Sequence, residues 1–379
     1  MRCLVKCLGA FIFLSGAAAV VTLAWGGHEL PVYPSFYPHE IEIRTLAPNR
    51  AAQALRESNI QAYIGGGLGY TGAPPIQVRA IETLGSFIIV RVNPGSPHAN
   101  DEAAACTAVK AVVRVLAGQS DFVVHPYPVT PFHGDYLHHA DLAAAAQARL
   151  SAGDADPRDL KIKGSGSLAR IHPDWSARDA DWDVEVIEVD AGELVASAML
   201  SVNGWLAPPW VKTGWFHAER LLADAADDAD RKRRVESDLP RLEAGAFGGL
   251  VERINLERNL VTTLTDTCRK IVAGYTVKRE YVNVEYSAGI ENIGYDSIAG
   301  LNSPIFIRTV KLKDFPWNGR LTLGTGGEPA AAWNPIGGMN DPFGRLMGSA
   351  VGDPALLPSP YEAGWMLNRI ADVTSNPGR

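Results

Sequence analysis

Four histidines (His125, His133, His138, His139) and two aspartates (Asp135, Asp141) fall within residues 125–141, HPYPVTPFHGDYLHHAD. Neutral imidazole and carboxylate are the donor types that hold zinc and its neighbours. His133, Asp135 and His139 could supply two nitrogens and one oxygen to a divalent ion. Asp135 follows a glycine and precedes a run that can be helical to Leu150, so it is a natural N-cap. His138 and His139 would then occupy the first turn, where the helix dipole disfavours imidazolium. HExxH is absent, and so is any HxHxDH pattern. The spacing permits a metal without demanding one.

A ligand-facing wall is therefore the expected role, with no bound metal or other cofactor. DFVVHP reads as a strand that delivers His125 and Tyr127 to a sheet edge. Pro126, Pro128 and Pro131 stiffen the loop, which lowers the entropy lost on gripping a ligand. The helix N-terminus capped by Asp135, beside His133 and His138, would offer donors to an anionic or carbonyl-bearing ligand. The alternative is a structural loop and cap.

Two other stretches could touch a ligand. In GGGLGYTGAPP, Gly67, Gly69 and Gly72 satisfy G-x-G-x-x-G. A dinucleotide fingerprint needs a helix to open there, and Ala73-Pro74-Pro75 blocks one. What remains is a loop whose bare backbone, at Gly67 and Gly69, can approach a ligand closely. In WLAPPWVKTGWFH, Trp205, Trp210 and Trp215 flank Pro208-Pro209. Their spacing of five is neither a helical nor a strand period, so the three could line a cleft, dock on a partner or fill an interface; Trp210 is the candidate ligand contact.

Catalytic signatures are missing. No Ser, Cys or Lys lies in an activating context, and Gly164-Ser165-Gly166-Ser167 lacks the spacing of a nucleophile elbow. Binding is expected rather than catalysis.

Strands and helices must position these residues. EIEIRTL, then PNRAAQALRES, then NIQAYI read as strand, helix, strand. IQVRAIET and SFIIVRVN read as two strands about Leu84-Gly85. A helix follows, with Asn100 as N-cap, Arg114 in its last turn and Gly118 at its end. This alternation predicts an α/β lobe over residues 25–155 with a mixed or mostly parallel sheet. Residues 151–182, rich in Asp, Gly, Ser and Pro, mark a boundary. A second, helix-rich α/β lobe is expected over 156–313, with helices over 191–203, 215–238 and 241–273. TVKREYVNVEYS and SPIFIRTVKLK read as its strands. Residues 314–379 read as a loop-rich segment that wraps the surface.

The N-terminus supplies an address. Arg2 and Lys6 precede an uncharged run over residues 7–24, and Thr22 and Ala24 stand at the −3 and −1 places of a cleavage site. Residues 1–24 read as a signal peptide, with an uncleaved membrane anchor as the alternative. The location is thus periplasmic or extracellular. Cys106 and Cys268 are the only cysteines beyond that segment. An exported chain can join them in one disulfide; two separate buried thiols are the alternative. A net charge of −7 without a basic stripe excludes nucleic acid as a partner. The features together predict an exported, two-lobed protein holding a small-molecule ligand, with a membrane transporter or complex as its partner. A structural or accessory subunit of such a complex is the first alternative, and a metal-dependent hydrolase the second.

Overall fold

The structure is a computed structural model. It describes residues 38–70, 72–119, 121–151, 159–167, 172, 174–175, 181–198, 209–225, 228–314, 319–328, 330, 341–352, 355–362, 364–368 and 370–371. The segment 1–24 and Trp205 lie outside these residues.

The strands are β1 (Glu40–Thr45), β2 (Ala62–Ile64), β3 (Val78–Val92), β4 (Phe122–Val124), β5 (Ile162–Gly164), β6 (Val184–Asp190), β7 (Lys270–Asn283), β8 (Ile290–Glu291), β9 (Lys311–Leu312), β10 (Arg320–Thr325), β11 (Leu356–Pro358) and β12 (Trp365–Leu367). The α-helices are α1 (Pro48–Arg56), α2 (Glu102–Leu116), α3 (Ala140–Ser151), α4 (Ala191–Ala198), α5 (Gly214–Leu222), α6 (Ala229–Glu243), α7 (Leu250–Thr265), α8 (Pro304–Thr309) and α9 (Pro342–Val351). Eight strands form one mixed sheet in the order β1-β10-β2-β7-β3-β6-β5, with β4 also beside β7. β1–β10, β10–β2 and β5–β6 are parallel, and the other pairs are antiparallel. The fold is mixed α/β, as expected.

β3 and β7 form a long antiparallel spine that runs through both halves of the sheet. Residues 78–84 of β3 pair with 277–283 of β7, and on the far side of β7 lie β2, β10 and β1. Residues 86–92 pair with β6, while β4 lies against residues 274–276 of β7. The register slips between Leu84 and Phe87. At this seam Gly85 backs onto Thr276, and a Cβ there would meet Thr276 Oγ1 at 2.8 Å. The Ser86 amide instead donates to that hydroxyl at 2.9 Å. Two wings thus join at a bulge, which bends a sheet and increases its twist.

Each wing is packed on both faces. In the β6 wing, Phe87 and Ile89 point to α4, α5 and α7, while Ile88, Val90 and Val92 point to α2. The unbroken apolar run FIIV follows from burial on both sides. In the β10 wing, Ile64, Leu321 and Leu323 pack toward α8 and α9, while Tyr63 and Tyr281 pack toward α1. The sheet takes strands from either side of residue 155 and from beyond 314, so the segments 25–155, 156–313 and 314–379 share one sheet.

Several local expectations are corrected. IQVRAIET and SFIIVRVN are one continuous strand, because the slip at Gly85 bends the ladder without ending it. SPIFIRTVKLK is mostly a short helix, with proline at its start and only Lys311–Leu312 extended. The N-cap of α2 is Asp101, whose side chain accepts from the Ala104 amide, rather than Asn100. Cys268 lies past the end of α7. Its sulphur is at bonding distance from Cys106 on α2, 1.94 Å away with the Cα atoms 4.9 Å apart.

Candidate functional site

β4 docks on β7, and the chain then turns back under α5 and α7. The His125 amide donates to the Ala273 carbonyl at 3.2 Å, which extends the β4–β7 pairing by one bond. Its ring Nε2 donates to the Val129 carbonyl at 2.9 Å and closes the proline-rich loop on itself. Burial lowers the pKa of His125. Tyr127 is 2% exposed and its hydroxyl lies 2.9 Å from His139 Nδ1. His133 is 4% exposed: its Nδ1 accepts the Thr130 amide at 2.8 Å, and its Nε2 lies 2.8 Å from His217 Nδ1. His217, on α5, donates from Nε2 to the Val211 carbonyl at 3.0 Å. Burial holds His217 down to about 4 and pushes His133 well below its usual value, the neighbouring His217 adding to the latter shift.

Asp135 does not cap the helix that follows it by its side chain. The turn at Tyr136–His138 is 3-10, and α3 begins only at Ala140. The Asp135 carboxylate reaches across to the first residue of α5, accepting the Gly214 amide at 3.1 Å. That amide is one of the free donors of a helix N-terminus. Gly214 admits the contact because it packs against Val129; a Cβ there would fall 2.5 Å from that side chain.

Behind Asp135 lies a residue that sequence spacing did not single out. Glu257 on α7 is 3% exposed, and Arg253 Nε stands 3.6 Å from its Oε1. Asp135, His139 and Glu257 each present a donor atom, and these atoms lie within 4.8 Å of one another. Burial, and secondarily the Asp135 charge, pushes Glu257 up to about 7. Burial pushes Asp135 up to about 6 and His139 down to about 4, the Arg258 charge adding to the latter. Glu257 sits in an ordinary amphipathic helix with no motif around it. A glutamate four residues after an arginine was its only signal, and such pairs usually read as solvated.

The structure thus brings Tyr127, His133, Asp135 and His139 together, with Trp210 at the edge. Trp210 packs on Trp215 and Phe216, with ring centroids 5.7 and 5.2 Å apart. Tyr127 and His133 are inside the β6 wing rather than on an open wall, because Phe87, Trp215 and Phe216 cover them. His133 also leaves the expected metal trio, since both ring nitrogens are already engaged. Gly67 and Gly69 belong to the loop after β2, in the other wing, where no side chain or backbone atom crowds their Cβ positions within 4 Å. That loop is tied to the spine by Glu280, fully buried, whose Oε1 accepts the Gly65 amide at 2.9 Å and whose Oε2 accepts the Leu301 amide at 2.6 Å.

At the seam, one edge of β3 opens into a recess of about 610 Å³ lined by Arg79, Ala80, Ile81, Glu82, Ile293 and Tyr295. β6 ends opposite Ser86, so residues 78–84 face no partner strand on that edge among the described residues. The Leu84 amide donates outward, to the Ser297 carbonyl at 2.9 Å. Strand alternation turns the main-chain groups of Glu82 and Ala80 the same way.

Among the described residues no helix is long and apolar enough to cross a membrane. No protein-family model matches the chain. No curated protein matches it either. Solved structures similar to it include HbpA2 from Haemophilus parasuis, with a TM-score of 0.44 at 10% identity, over 70% of this chain and 56% of that one. The oligopeptide-binding protein AppA from Bacillus subtilis, solved with a nonapeptide, gives 0.37 at 12% identity, over 70% and 58%. The ABC transporter-associated periplasmic binding protein DppA from Helicobacter pylori, solved with the peptide STSA, gives 0.39 at 11% identity, over 70% and 55%. This chain therefore spans a little over half the length of the proteins it is similar to.

Proposed function

We propose that the chain is an exported protein that binds a small solute along the open edge of β3, where its two wings meet, and delivers it to a membrane transporter. The single observation that carries this reading is the edge of residues 79–82, covered by no strand among the described residues and lining one recess with Tyr295. Backbone N–H and C=O groups on a strand edge are strong, obligatory hydrogen-bonding groups. An extended ligand with its own alternating donors and acceptors can pair with them as an added strand. A short peptide is the solute with that chemistry, and Tyr295 supplies a flat apolar face beside it. The slip at Gly85 supports closure of the wings on the ligand, since a bulged spine bends there more readily than a regular ladder. Gly67 and Gly69, in the same wing beyond β7, keep a backbone that no neighbouring atom crowds at the Cβ position within 4 Å. The charge and apolar pattern of residues 1–24 supports export.

Calorimetric titration with unmodified peptides of three to five residues tests this. One-to-one binding is expected, weakened at least tenfold by Tyr295→Ala. If no peptide binds, and denaturing the purified protein releases no small molecule, the assignment fails.

A further inference from the structure

We propose that Asp135, His139 and Glu257 form a binding site for one first-row divalent transition cation of the zinc type, set between the 135–139 turn and α7. This site is separate from the β3 edge and does not rest on the solute reading. Three features of the site converge.

The donors come from two stretches of chain far apart in sequence, yet their ligating atoms lie within 4.8 Å of one another. Bonds of about 2.0–2.2 Å would draw tetrahedral donors to roughly 3.4 Å apart, a modest contraction for side chains on a turn and a helix.

Two of the atoms are buried and unmatched. His139 is 0% exposed and Glu257 3% exposed. Neither His139 Nε2 nor Glu257 Oε2 has a hydrogen-bond partner among the described residues. Buried polar side-chain atoms are nearly always partnered, so orphans on two members of one close trio point to a shared ligand.

The remaining atoms of the trio are held as metal ligands usually are. Tyr127 OH lies 2.9 Å from His139 Nδ1. With the ring proton on Nδ1 directed at that oxygen, Nε2 presents its lone pair to the cation, and the tyrosine fixes tautomer and ring plane. The Asp135 carboxylate is steadied by the Gly214 amide, and Glu257 Oε1 faces Arg253, which leaves Oε2 to ligate. One imidazole and two carboxylates suit zinc, nickel or manganese; calcium and magnesium prefer oxygen alone. Asp135 is partly exposed, giving an entry side.

The test uses the full chain, without a histidine tag, stripped by chelator and dialysed. Zinc, nickel and manganese are titrated separately, by calorimetry and by competition with a chromophoric chelator. One equivalent of at least one of them should bind, and should raise the melting temperature. Glu257→Gln, which keeps size and fold, should weaken that binding roughly 100-fold and abolish the thermal shift; Tyr127→Phe should weaken it ~10-fold through the lost support of His139. His139→Ala should behave as Glu257→Gln, and if it fails to fold, Glu257→Gln decides alone. Absence of stoichiometric binding by all three metals overturns the site. So does binding that Glu257→Gln leaves unchanged, which would mark surface adsorption.

Discussion

His133 Nε2 stands 2.8 Å from His217 Nδ1, and the direction of that hydrogen bond is set from both ends. At one end the Val211 carbonyl can only accept, so His217 carries its proton on Nε2. At the other the Thr130 amide can only donate, so His133 Nδ1 is an acceptor. The proton between the rings therefore sits on His133 Nε2, and both rings are neutral. Protonating His217 would set two donors face to face inside an apolar core.

Stability should accordingly fall in acid. The folded pKa of His217, about 4, lies below the unfolded value of 6.5. As pH drops from 6.5 to 4 the unfolded chain gains a proton that the folded chain refuses. The contribution is whole above 6.5 and is lost on the way down. Between pH 7.5 and 5 the native protein should lose about 2 kcal/mol more than His217→Gln does. Urea unfolding at the two pH values measures this, and equal losses would contradict the neutral pair.

How much of this was legible beforehand varies by element. β1, α1 and the cap-marked α2 follow from local patterns, because each carries its own period and end signals. β10 was missed inside a stretch read as loop: Arg320–Thr325 is short and flanked by glycines, and its burial comes from β1 and β2, far away in sequence. The cluster at residues 125–141 was legible as a cluster. That His133 would turn to His217 and Glu257 would join Asp135 depends on how α5 and α7 pack, and no local spacing encodes that.

Cys106 and Cys268 should be closed to thiol reagents in protein unfolded without reductant. Their join links α2 to the turn before β7, where Glu102 also accepts the Thr267 hydroxyl at 3.1 Å. With residues 1–24 removed, no thiol should titrate before reduction and two after it. Reduction should cost about 3–5 kcal/mol, given 162 positions between the cysteines. Two free thiols before reduction would rule the bond out.

Glu280→Ala should destabilise the protein by about 3–5 kcal/mol, since it strips acceptors from the Gly65 and Leu301 amides and removes the charge facing Lys278. Glu280→Gln, with one acceptor kept, should cost less. Denaturant midpoints of the two variants give the comparison; equal losses would show that charge alone matters.

Gly274→Ala should be among the costliest single-methyl additions. A Cβ there would sit 2.1 Å from the Val123 carbonyl and 2.7 Å from the Phe122 ring. β4 would have to leave β7, at a cost of about 3 kcal/mol. Thermal unfolding checks the size, and hydrogen exchange at residues 122–124 checks the place.

The β3–β7 spine also imposes a timetable. Ser86 and Thr276, which meet at the seam, are 190 positions apart, and Arg320 and Glu42, which close the far edge, are 278 apart. A chain made from its N-terminus produces β3 long before either wing can be sealed, so its most apolar strand must wait for a partner that is synthesised much later. Pairing over such separations is slow and leaves the waiting strand open to wrong partners. Delay of this kind keeps a polypeptide threadable through an export channel, and it makes a holding chaperone more useful to this fold than to one whose neighbouring strands are neighbours in sequence.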